Sequence, residues 1–424
     1  MTESDGALPQ RWAPPFFTIW TGQAFSLFGS QLVQFALIWY LTQQTGSATV
    51  LATASLVGML PQIVIGPFAG ALVDRWSRRV VMMASDSLVA LATLLLAVLF
   101  ALGVVQIWHI YVLLGVRAIA GAFQWPAMQA ATSLMVPKEH LSRIQGLNQM
   151  LNGAMSIVAA PLGALLMDLL PMQGILAIDV STAFFAVTPL FFIRVPEPEH
   201  RVTPQAEKPS VWADVRAGVA YVWRWPGLAI LLGMALLLNF LLTPAFSLLP
   251  LLVKAHFGKG ALELGWMEAV SGVGMVLGGL LLSVWGGFKK RILTSFSGLV
   301  LMGFSALALG LASPQGFLLA LAAMFALGVL NPLVNGPIFA VLQSVVDADM
   351  QGRIFMLVSS AASAISPLGL VLAGPLADRL GVQVWFLAGG VLTVVTGVAA
   401  FFIPAIVNIE ESQRAAAVQA GAAD

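Results

Sequence analysis

The sequence GALVDRWSRR, at residues 70–79, interrupts two long apolar stretches of the chain. The apolar stretch 50–73 leads into it and the apolar stretch 80–103 follows it, and each is long enough to cross a bilayer as a helix. Three of its ten residues are arginines, and positive charge is typical of short loops on the cytoplasmic side. The stretch therefore predicts a tight cytoplasmic turn between two membrane-spanning helices.

The composition extends this pattern to the whole chain of 424 residues. Hydrophobic residues make up 59% of the sequence, charged residues only 9%, and the mean hydropathy is +0.92. Because many apolar runs reach the length of a spanning helix, the chain is predicted to be an all-α polytopic membrane protein. The absence of cysteine excludes disulfides, thiolate metal sites and thiol catalysis.

Twelve apolar runs predict twelve transmembrane helices, at residues 16–42, 50–73, 80–103, 108–136, 142–170, 172–193, 227–254, 264–285, 292–312, 315–346, 353–376 and 382–408. The only long polar stretch, 194–226, begins with a Pro-Glu repeat and ends in a segment rich in Trp, Tyr and Arg. This pattern predicts a cytoplasmic linker with an amphipathic helix on the membrane surface. The expected layout is a tail (1–15), a six-helix bundle (16–193), the linker (194–226), a second six-helix bundle (227–408) and a second tail (409–424).

The Lys and Arg residues decide the orientation. Outside the predicted spans, all of them except Lys254, Lys259 and Arg379 fall on one side of the membrane. Since such residues favour the cytoplasmic side, both termini are expected to be cytoplasmic, in a cytoplasmic (inner) membrane.

The two halves repeat each other about 210 residues apart. Gly70 corresponds to Gly279, and Arg143 corresponds to Arg353, while Ser283 stands where the first half has an aspartate. Transporters built from such repeats bind substrate at the repeat interface and rock the halves around it. The sequence therefore predicts two pseudo-symmetric bundles around one site.

The loop at 70–79 resembles the signature loop of the major facilitator superfamily, with Ser77 in place of the usual glycine. Further motifs are similar to the macrolide-efflux branch of its twelve-helix members: Trp20-Thr-Gly22-Gln23-Ala24, Tyr40-Leu-Thr42, Thr45-Gly46-Ser47-Ala48, Ala54 to Pro61, Gly66-Pro67, Leu72-Val-Asp74-Arg75 and Gly278-Gly-Leu-Leu-Leu. The resemblance covers about residues 20–386. It implies the major facilitator fold and proton-driven export of bulky, mostly apolar compounds. Related members export siderophores or move lysophospholipids, so these substrates are the alternatives.

The loop and its surroundings predict a conformational latch. Asp74 lies at a helix C-terminus, where the helix dipole disfavours an anion, so it needs a cationic or helix-N-terminal partner. Gly70, one turn earlier, would let another helix approach closely. The alternative is a turn that only fixes orientation by its positive charge. The predicted latch comprises Gly70, Asp74, Arg75, Arg78, Arg79 and Asp86, the last paired with Arg78 or Arg79.

Arg117 lies inside the fourth predicted span, where a charged side chain costs about 2.5–3.5 kcal/mol and so should face a cavity or a partner. The sequence Arg117-Ala-Ile-Ala-Gly121 resembles the family's helix-4 motif, with Ala120 in place of the customary Gln, and this resemblance implies a role in proton coupling. An arginine stays protonated, so Arg117 would favour the charged form of a nearby carboxylate or orient it. The alternative is an Arg that snorkels outward or binds backbone carbonyls. Asp179 is the first candidate for the proton carrier and Glu268 the second.

Polar residues at helical spacing, interleaved with aromatic residues and Met, outline a predicted substrate cavity. The family resemblance implies that the first, fourth, seventh and tenth helices line it, and such side chains suit a large amphipathic ligand. The alternative is that the amides join helices. The candidate residues are Gln23, Gln31, Gln34, Phe35, Trp39, Gln124, Met128, Asn239, Phe240, Thr243, Asn331, Asn335 and Phe339.

Prolines inside spans four, five, ten and eleven predict bent or broken helices near the cavity, at Pro126, Pro161, Pro332, Pro337 and Pro367. No phosphate-binding loop, metalloprotease motif, nucleophile elbow or basic soluble domain occurs, which argues against ATP, metal, cofactor and nucleic acid as partners.

We therefore expect a monomeric secondary transporter, not an enzyme, whose partners are an amphipathic small molecule, protons and the lipid bilayer. A membrane-embedded enzyme is a remote alternative, because the spans hold one arginine and scattered carboxylates rather than a convergent catalytic set.

Overall fold

The computed structural model of the protein describes residues 12–73, 76–196, 211–346 and 350–409. Within these ranges the chain has twelve helices that are long and apolar enough to cross a membrane, and it has no strand. The predicted fold class is confirmed. Helices suit a bilayer because each one satisfies its backbone hydrogen bonds internally, where no water can do so.

The first six membrane helices are α1 to α6, and a 3₁₀ turn, Lys138–His140, precedes α5. Their bounds in chain order are Ala13–Thr45, Ala48–Val73, Arg78–Ala101, Ile107–Met135, Leu141–Leu169 and Met172–Phe192.

The second set of membrane helices follows the linker. It consists of α8 (Pro226–Ser247), α10 (Ala261–Trp285), α11 (Arg291–Leu311), α12 (Phe317–Val345), α13 (Gln351–Leu380) and α14 (Val382–Phe401). The shorter elements are α7 (Val211–Arg224), α9 (Leu249–Leu251), a π-helical turn (Leu252–His256) and α15 (Pro404–Val407).

The helices agree closely with the predicted spans except at the seventh and the twelfth, which the sequence predicts to run unbroken over residues 227–254 and 382–408. In the twelfth, α14 ends at Phe401 and the short α15 follows. In the structure α8 ends at Ser247, and α9 and the π-helical turn follow. Leu248 leaves helical geometry, with φ of −94° and ψ of 0°. Pro250 then falls in the first turn of α9, where its missing N–H is not needed.

In the linker, α7 packs against α8 and α13. Residues 197–210, which include most of the predicted extended part of the linker, lie outside the described ranges. The placement of α7 on the membrane surface stays a prediction.

The chain divides into two compact units. Unit 1 comprises Met1–Gly46, Thr53–Val202 and Ala261–Gly265, and unit 2 comprises Ser47–Ala52, Thr203–Gly260 and Trp266–Asp424. In unit 1, α1 packs against α5 and α6, and α3 packs against α4 and α6. In unit 2, α11 packs against α12 and α14, and α8 packs against α13 and α14.

Two glycines bring α1 and α6 close together in unit 1. A Cβ atom at Gly22 would lie 2.7 Å from the backbone oxygen of Phe185. A Cβ atom at Gly29, two turns further along the same face, would lie 3.3 Å from the Cα atom of Asp179. The close approach of these helices therefore depends on the missing side chains, as in other membrane helix pairs with small residues at the contact. The contact at Gly29 lies at the backbone of Asp179.

The helices that carry the predicted prolines are continuous. Pro126, Pro161 and Pro367 lie inside α4, α5 and α13, and Pro332 and Pro337 lie inside α12. The helices are therefore not broken at these positions, and the predicted bends stay a prediction. Neighbouring helices and polar side chains can satisfy the carbonyl groups that a proline frees, so an unbroken helix is compatible with these residues.

Candidate functional site

Unit 1 contains a cavity of about 680 Å³ that is lined by residues of α1, α2, α3, α4 and α5. Its lining combines apolar side chains, including Leu27, Leu151 and Met128, with the tryptophans Trp20 and Trp125. Among its polar lining residues are Gln23, Ser30, Asp86, Arg117 and Gln124. A mostly apolar pocket with a few polar groups is the usual form of a site for small organic ligands.

Arg117 and Asp179 form an ion pair in unit 1. Nη1 of Arg117 donates to Oδ2 of Asp179 at 2.7 Å, and Nη2 donates to the carbonyl oxygen of Ser30 at 3.0 Å. The hydroxyl groups of Ser30 and Thr93 each donate to the Asp179 carboxylate at 3.1 Å. The Arg117 and Asp179 side chains are 11% and 1% exposed. The structure thus brings together two residues that the sequence could only nominate separately.

The ion pair is assembled by four helices: Ser30 comes from α1, Thr93 from α3, Arg117 from α4 and Asp179 from α6. Both oxygens of the carboxylate accept hydrogen bonds, and the one from Arg117 is charge-assisted and therefore among the stronger kind. Arg117 also lines the cavity, so the pair is connected to the space where a ligand fits. A proton that bound Asp179 would remove the charge that holds Arg117.

Asp86, on α3, forms a second polar cluster beside the cavity. Its Oδ2 accepts from Nε2 of Gln23 at 2.7 Å and its Oδ1 accepts from Nε2 of Gln124 at 2.6 Å. The Gln124 amide also donates to Oε1 of Gln23 at 2.7 Å. The side chain of Asp86 is only 3% exposed.

The predicted pairing of Asp86 with Arg78 or Arg79 is therefore wrong. Arg79 instead donates from Nε to the carbonyl oxygen of Leu190 and from Nη2 to that of Phe191 at 2.8 Å. The last carbonyls of a helix lack intrahelical partners, and this is why the end of α6 attracts a guanidinium group. Asp86 lies two turns inside α3, and this position brings it to the cavity amides.

The rest of the predicted latch is only partly described. Asp74 and Arg75 lie outside the described ranges. A Cβ atom added at Gly70 would meet no atom within 4 Å, so the expected close helix approach at this glycine is not found in the described part of the chain.

Three of the seven predicted cavity residues of unit 1, Gln23, Gln124 and Met128, line the cavity. Gln31, Gln34, Phe35 and Trp39 are not among its lining residues. Phe35 and Trp39 are buried, and the ring of Phe35 packs on Gly163 of α5. The polar face of α1 was extended too far, because a helix of 33 residues is longer than the cavity.

The predicted cavity residues of unit 2 contact other residues of the same unit. The side chain of Asn239 donates to the carbonyl of Ala235 at 2.9 Å, and Asn335 donates to the carbonyl of Asn331 at 3.1 Å, so both amides bond within their own helices. Thr243 accepts a hydrogen bond from Ser366 at 3.3 Å. The aromatic rings of the set contact other rings, Phe240 with Trp385 and Phe339 with Phe355.

Glu268, the second candidate for the proton carrier, is half-buried on α10 in unit 2. Within the described ranges its side chain makes no hydrogen bond or ion pair. Its surroundings thus differ from those of Asp179, which has three polar partners.

Sequence reasoning missed one anchored carboxylate, Asp378, near the end of α13. It accepts hydrogen bonds from the backbone N–H groups of Ala48 at 2.6 Å and Thr49 at 3.0 Å, and from both adjacent hydroxyls, Ser47 at 3.0 Å and Thr49 at 2.6 Å. These residues begin α2 and belong to unit 2 together with Asp378. The carboxylate thus caps the N-terminus of α2.

A sequence signal for this cap exists. Gly374, Leu376, Asp378 and Arg379 repeat the Gly-x-Leu-x-Asp-Arg pattern that begins at Gly70. The repeat could have identified Asp378 as a helix-terminal carboxylate that needs a partner.

Comparison with known proteins gives concordant results. The family profile described as the Major Facilitator Superfamily matches residues 19–369. The chain is 36% identical over 383 residues to Macrolide efflux protein A of Streptococcus pyogenes, covering 90% of this chain and 94% of that protein. It is 29% identical over 400 residues to the multidrug efflux pump Tap of Mycolicibacterium fortuitum, again covering 90% and 94% of the two chains. A solved structure of a POT family transporter in complex with a thioalcohol-conjugated peptide matches the fold with a TM-score of 0.70 at 12% identity, covering 92% of this chain and 96% of that one.

Proposed function

The chain belongs to the Major Facilitator Superfamily, and we propose that it exports amphipathic organic compounds of the macrolide or multidrug type in exchange for protons, by alternating access. The observation that carries the proposal is the buried Arg117–Asp179 ion pair beside the cavity of unit 1. The names of the similar efflux proteins support the direction of transport and the substrate class.

The proposed mechanism uses the ion pair as the proton-coupling element. When Asp179 is ionised, Arg117 and the hydroxyls of Ser30 and Thr93 hold the carboxylate between four helices. Protonation removes the ionic attraction and leaves Arg117 with the Ser30 carbonyl as its remaining partner. Since α1, α3, α4 and α6 meet at this carboxylate, a change in its charge alters their packing. This supplies the two-state element that alternating access requires.

The cavity supports the proposed substrate class. Its wall offers Trp20, Trp125, Met128 and leucines for apolar contact, and glutamine amides for polar contact. Flexible Met and broad aromatic surfaces accommodate ligands of different shape.

The remaining features of the proposal concern placement. We place the protein in the cytoplasmic membrane with both termini cytoplasmic, on the distribution of Lys and Arg, and we propose that it acts as a monomer. The alternation of apolar and polar stretches supports the bundles at 16–193 and 227–408, the linker at 194–226 and the tails at 1–15 and 409–424. The latch role of residues 70–79 stays a prediction.

The test is uptake of radiolabelled erythromycin into proteoliposomes with an acidic interior, before and after a protonophore collapses the pH gradient. Protein-free vesicles correct for passive trapping of the weakly basic drug. We expect gradient-dependent accumulation with the wild-type protein, and its loss in Asp179→Asn, because the neutral amide cannot exchange a proton. Asp168→Asn, which removes an exposed carboxylate from the end of α5 in the same unit, is the matched control and should transport normally.

Two results would contradict the proposal. Uphill transport by Asp179→Asn at the wild-type rate would remove Asp179 from the coupling mechanism. Absence of erythromycin movement by the wild-type protein under either condition would reject the macrolide as substrate, and siderophores and lysophospholipids would then be assayed in the same vesicles.

A further inference from the structure

Asp86 presents an uncompensated negative charge to the cavity of unit 1. Among the lining residues that the structure describes, the charged ones are Arg117 and Asp86. Arg117 is neutralised by Asp179 at 2.7 Å, whereas Asp86 makes no ion pair with any residue of the described ranges. Its two partners, Gln23 and Gln124, are neutral amides. The cavity therefore carries a net negative charge whenever both carboxylates are ionised.

The two amides orient the Asp86 carboxylate but do not use its full capacity to accept hydrogen bonds. Each oxygen accepts one hydrogen bond, at 2.7 Å and 2.6 Å, while a carboxylate has about four acceptor sites in total. The hydrogen bond between the amides of Gln124 and Gln23 joins the three side chains into one unit and fixes their geometry. The carboxylate is thus held rigidly and keeps the capacity to accept from a ligand.

The surrounding wall suits the apolar part of a cationic ligand. Trp20 and Trp125 line the same cavity, and the face of an indole ring attracts ammonium groups and their methyl substituents. The Trp20 ring is itself held in place, because its Nε1 donates to Asn148 at 2.7 Å. Met128 and Leu27 add adaptable apolar surface.

We propose that Asp86 binds the protonated amine of the transported compound, so that the site selects lipophilic ammonium ions over neutral molecules of the same shape. The inference rests on the proposed function and names the chemistry of its substrate. Gln23 and Gln124 are positioning residues that aim the carboxylate. A buried charge that lacks an ionic partner is unfavourable, and a ligand ammonium group supplies that partner.

The site is separate from the coupling element. Asp86 and Thr93, which donates to Asp179, lie seven residues apart on one face of α3, so about two turns or 10 Å of helix separate the amine site from the ion pair. The two buried carboxylates described in unit 1 thus have different tasks: Asp179 responds to protons, and Asp86 recognises the cation.

The test is a binding experiment that needs no ion gradient. Radiolabelled erythromycin, whose tertiary amine is protonated at neutral pH, is bound to the full-length protein in lipid nanodiscs. It is displaced either by unlabelled erythromycin or by its N-demethyl-N-acetyl derivative, in which an uncharged amide replaces the amine. The wild-type protein should prefer the amine on the order of tenfold or more, as expected for a charge-assisted hydrogen bond to a buried carboxylate. Asp86→Asn should lose this preference and keep its affinity for the amide derivative, while Asp168→Asn behaves as wild type.

Several results would overturn the inference. These are equal wild-type affinity for the amine and the amide, a wild-type preference that survives in Asp86→Asn, and equal loss of both ligands in a folded Asp86→Asn protein. If Asp86→Asn does not fold, the wild-type comparison decides alone, and tetraphenylphosphonium, a permanent cation, is used as a second displacing ligand that must compete. Because no gradient is used, the failure of proton-coupled export would appear only in the transport assay, and the two failures are distinguishable.

Discussion

The two units contain helices of similar length and number, but they differ in the partners of their charged and polar side chains. Unit 1 gathers Arg117, Asp179 and Asp86 in the membrane interior, each with polar partners from other helices. In unit 2 the amides of Asn239 and Asn335 bond to their own helices, and Glu268 has no hydrogen bond within the described ranges. The comparison indicates that a duplicated fold does not imply duplicated chemistry. The proposal therefore assigns the response to protons and cations to groups of the first half.

The largest effect should come from removing the cation of unit 1. Arg117→Gln leaves Asp179 as a buried charge without an ionic partner, and loss of one partner of such a pair typically destabilises a protein by about 3–5 kcal/mol. We expect a lower unfolding temperature and no uphill transport. The double variant Arg117→Gln/Asp179→Asn should recover much of the stability but none of the transport.

The control for this series is Arg143→Gln, which removes an exposed arginine from α5 in the same unit. Equal destabilisation by Arg117→Gln and Arg143→Gln would show that the ion pair is not a special feature of unit 1.

A smaller effect is expected when the approach of α1 and α6 is disturbed. In Gly22→Ala the new methyl group would lie 2.7 Å from a backbone oxygen of α6, and overpacking of this kind costs about 1–3 kcal/mol. Gly389→Ala in unit 2 is the matched variant, because its methyl group would make an ordinary contact at 3.9 Å and alanine is otherwise the better helix former. Thermal unfolding in detergent should therefore show a loss of stability for Gly22→Ala only. A stable Gly22→Ala protein with wild-type transport would mean that Asp179 does not need this close helix contact.

In unit 2, we expect the Asp378 carboxylate to contribute to stability and not to proton coupling. Asp378→Asn weakens the cap on α2, and loss of an N-cap interaction costs about 1 kcal/mol. We expect a modest drop in unfolding temperature relative to Asp168→Asn, with proton coupling retained. Loss of coupling with unchanged stability would assign Asp378 a role in transport instead.

The smallest effect is expected from Glu268→Gln, because nothing in the described ranges bonds to this carboxylate. Erythromycin accumulation in proteoliposomes should remain dependent on the pH gradient. Loss of accumulation in this variant would make Glu268 the proton carrier and reverse the comparison between the units.

The positions of the membrane helices can be predicted from the sequence, but the contacts between the helices cannot. Apolar length alone located the twelve spans, because the bilayer demands about 20 apolar residues in each. Arg117 and Asp179 stand out as charged residues in apolar runs, but their pairing depends on how α1, α3, α4 and α6 pack together. No pattern within a single helix contains that information.

The predictions that failed for individual residues also failed because they depend on how the helices pack. Asp86 was assigned to the cytoplasmic arginines because they are near in sequence, whereas two turns of α3 carry it to Gln23 and Gln124. The polar face of α1 was extended past the cavity to Phe35 and Trp39, which pack between helices. The motif that contains Asp378 repeats that of Gly70 to Arg75, but it ends α13, whereas the repeat of the two halves pairs α2 with α10. The comparison of the halves therefore does not lead to Asp378.

The central claim is that protons cross by way of Asp179 in unit 1. The most direct test is to add erythromycin to proteoliposomes that contain a pH-sensitive dye and to compare the substrate-driven proton flux of the wild-type protein with that of Asp179→Asn. Passive entry of the drug is common to both samples and cancels in the difference. We expect a saturable proton flux with the wild-type protein and none with Asp179→Asn. An equal flux in both would contradict the assignment of proton coupling to the Arg117–Asp179 pair.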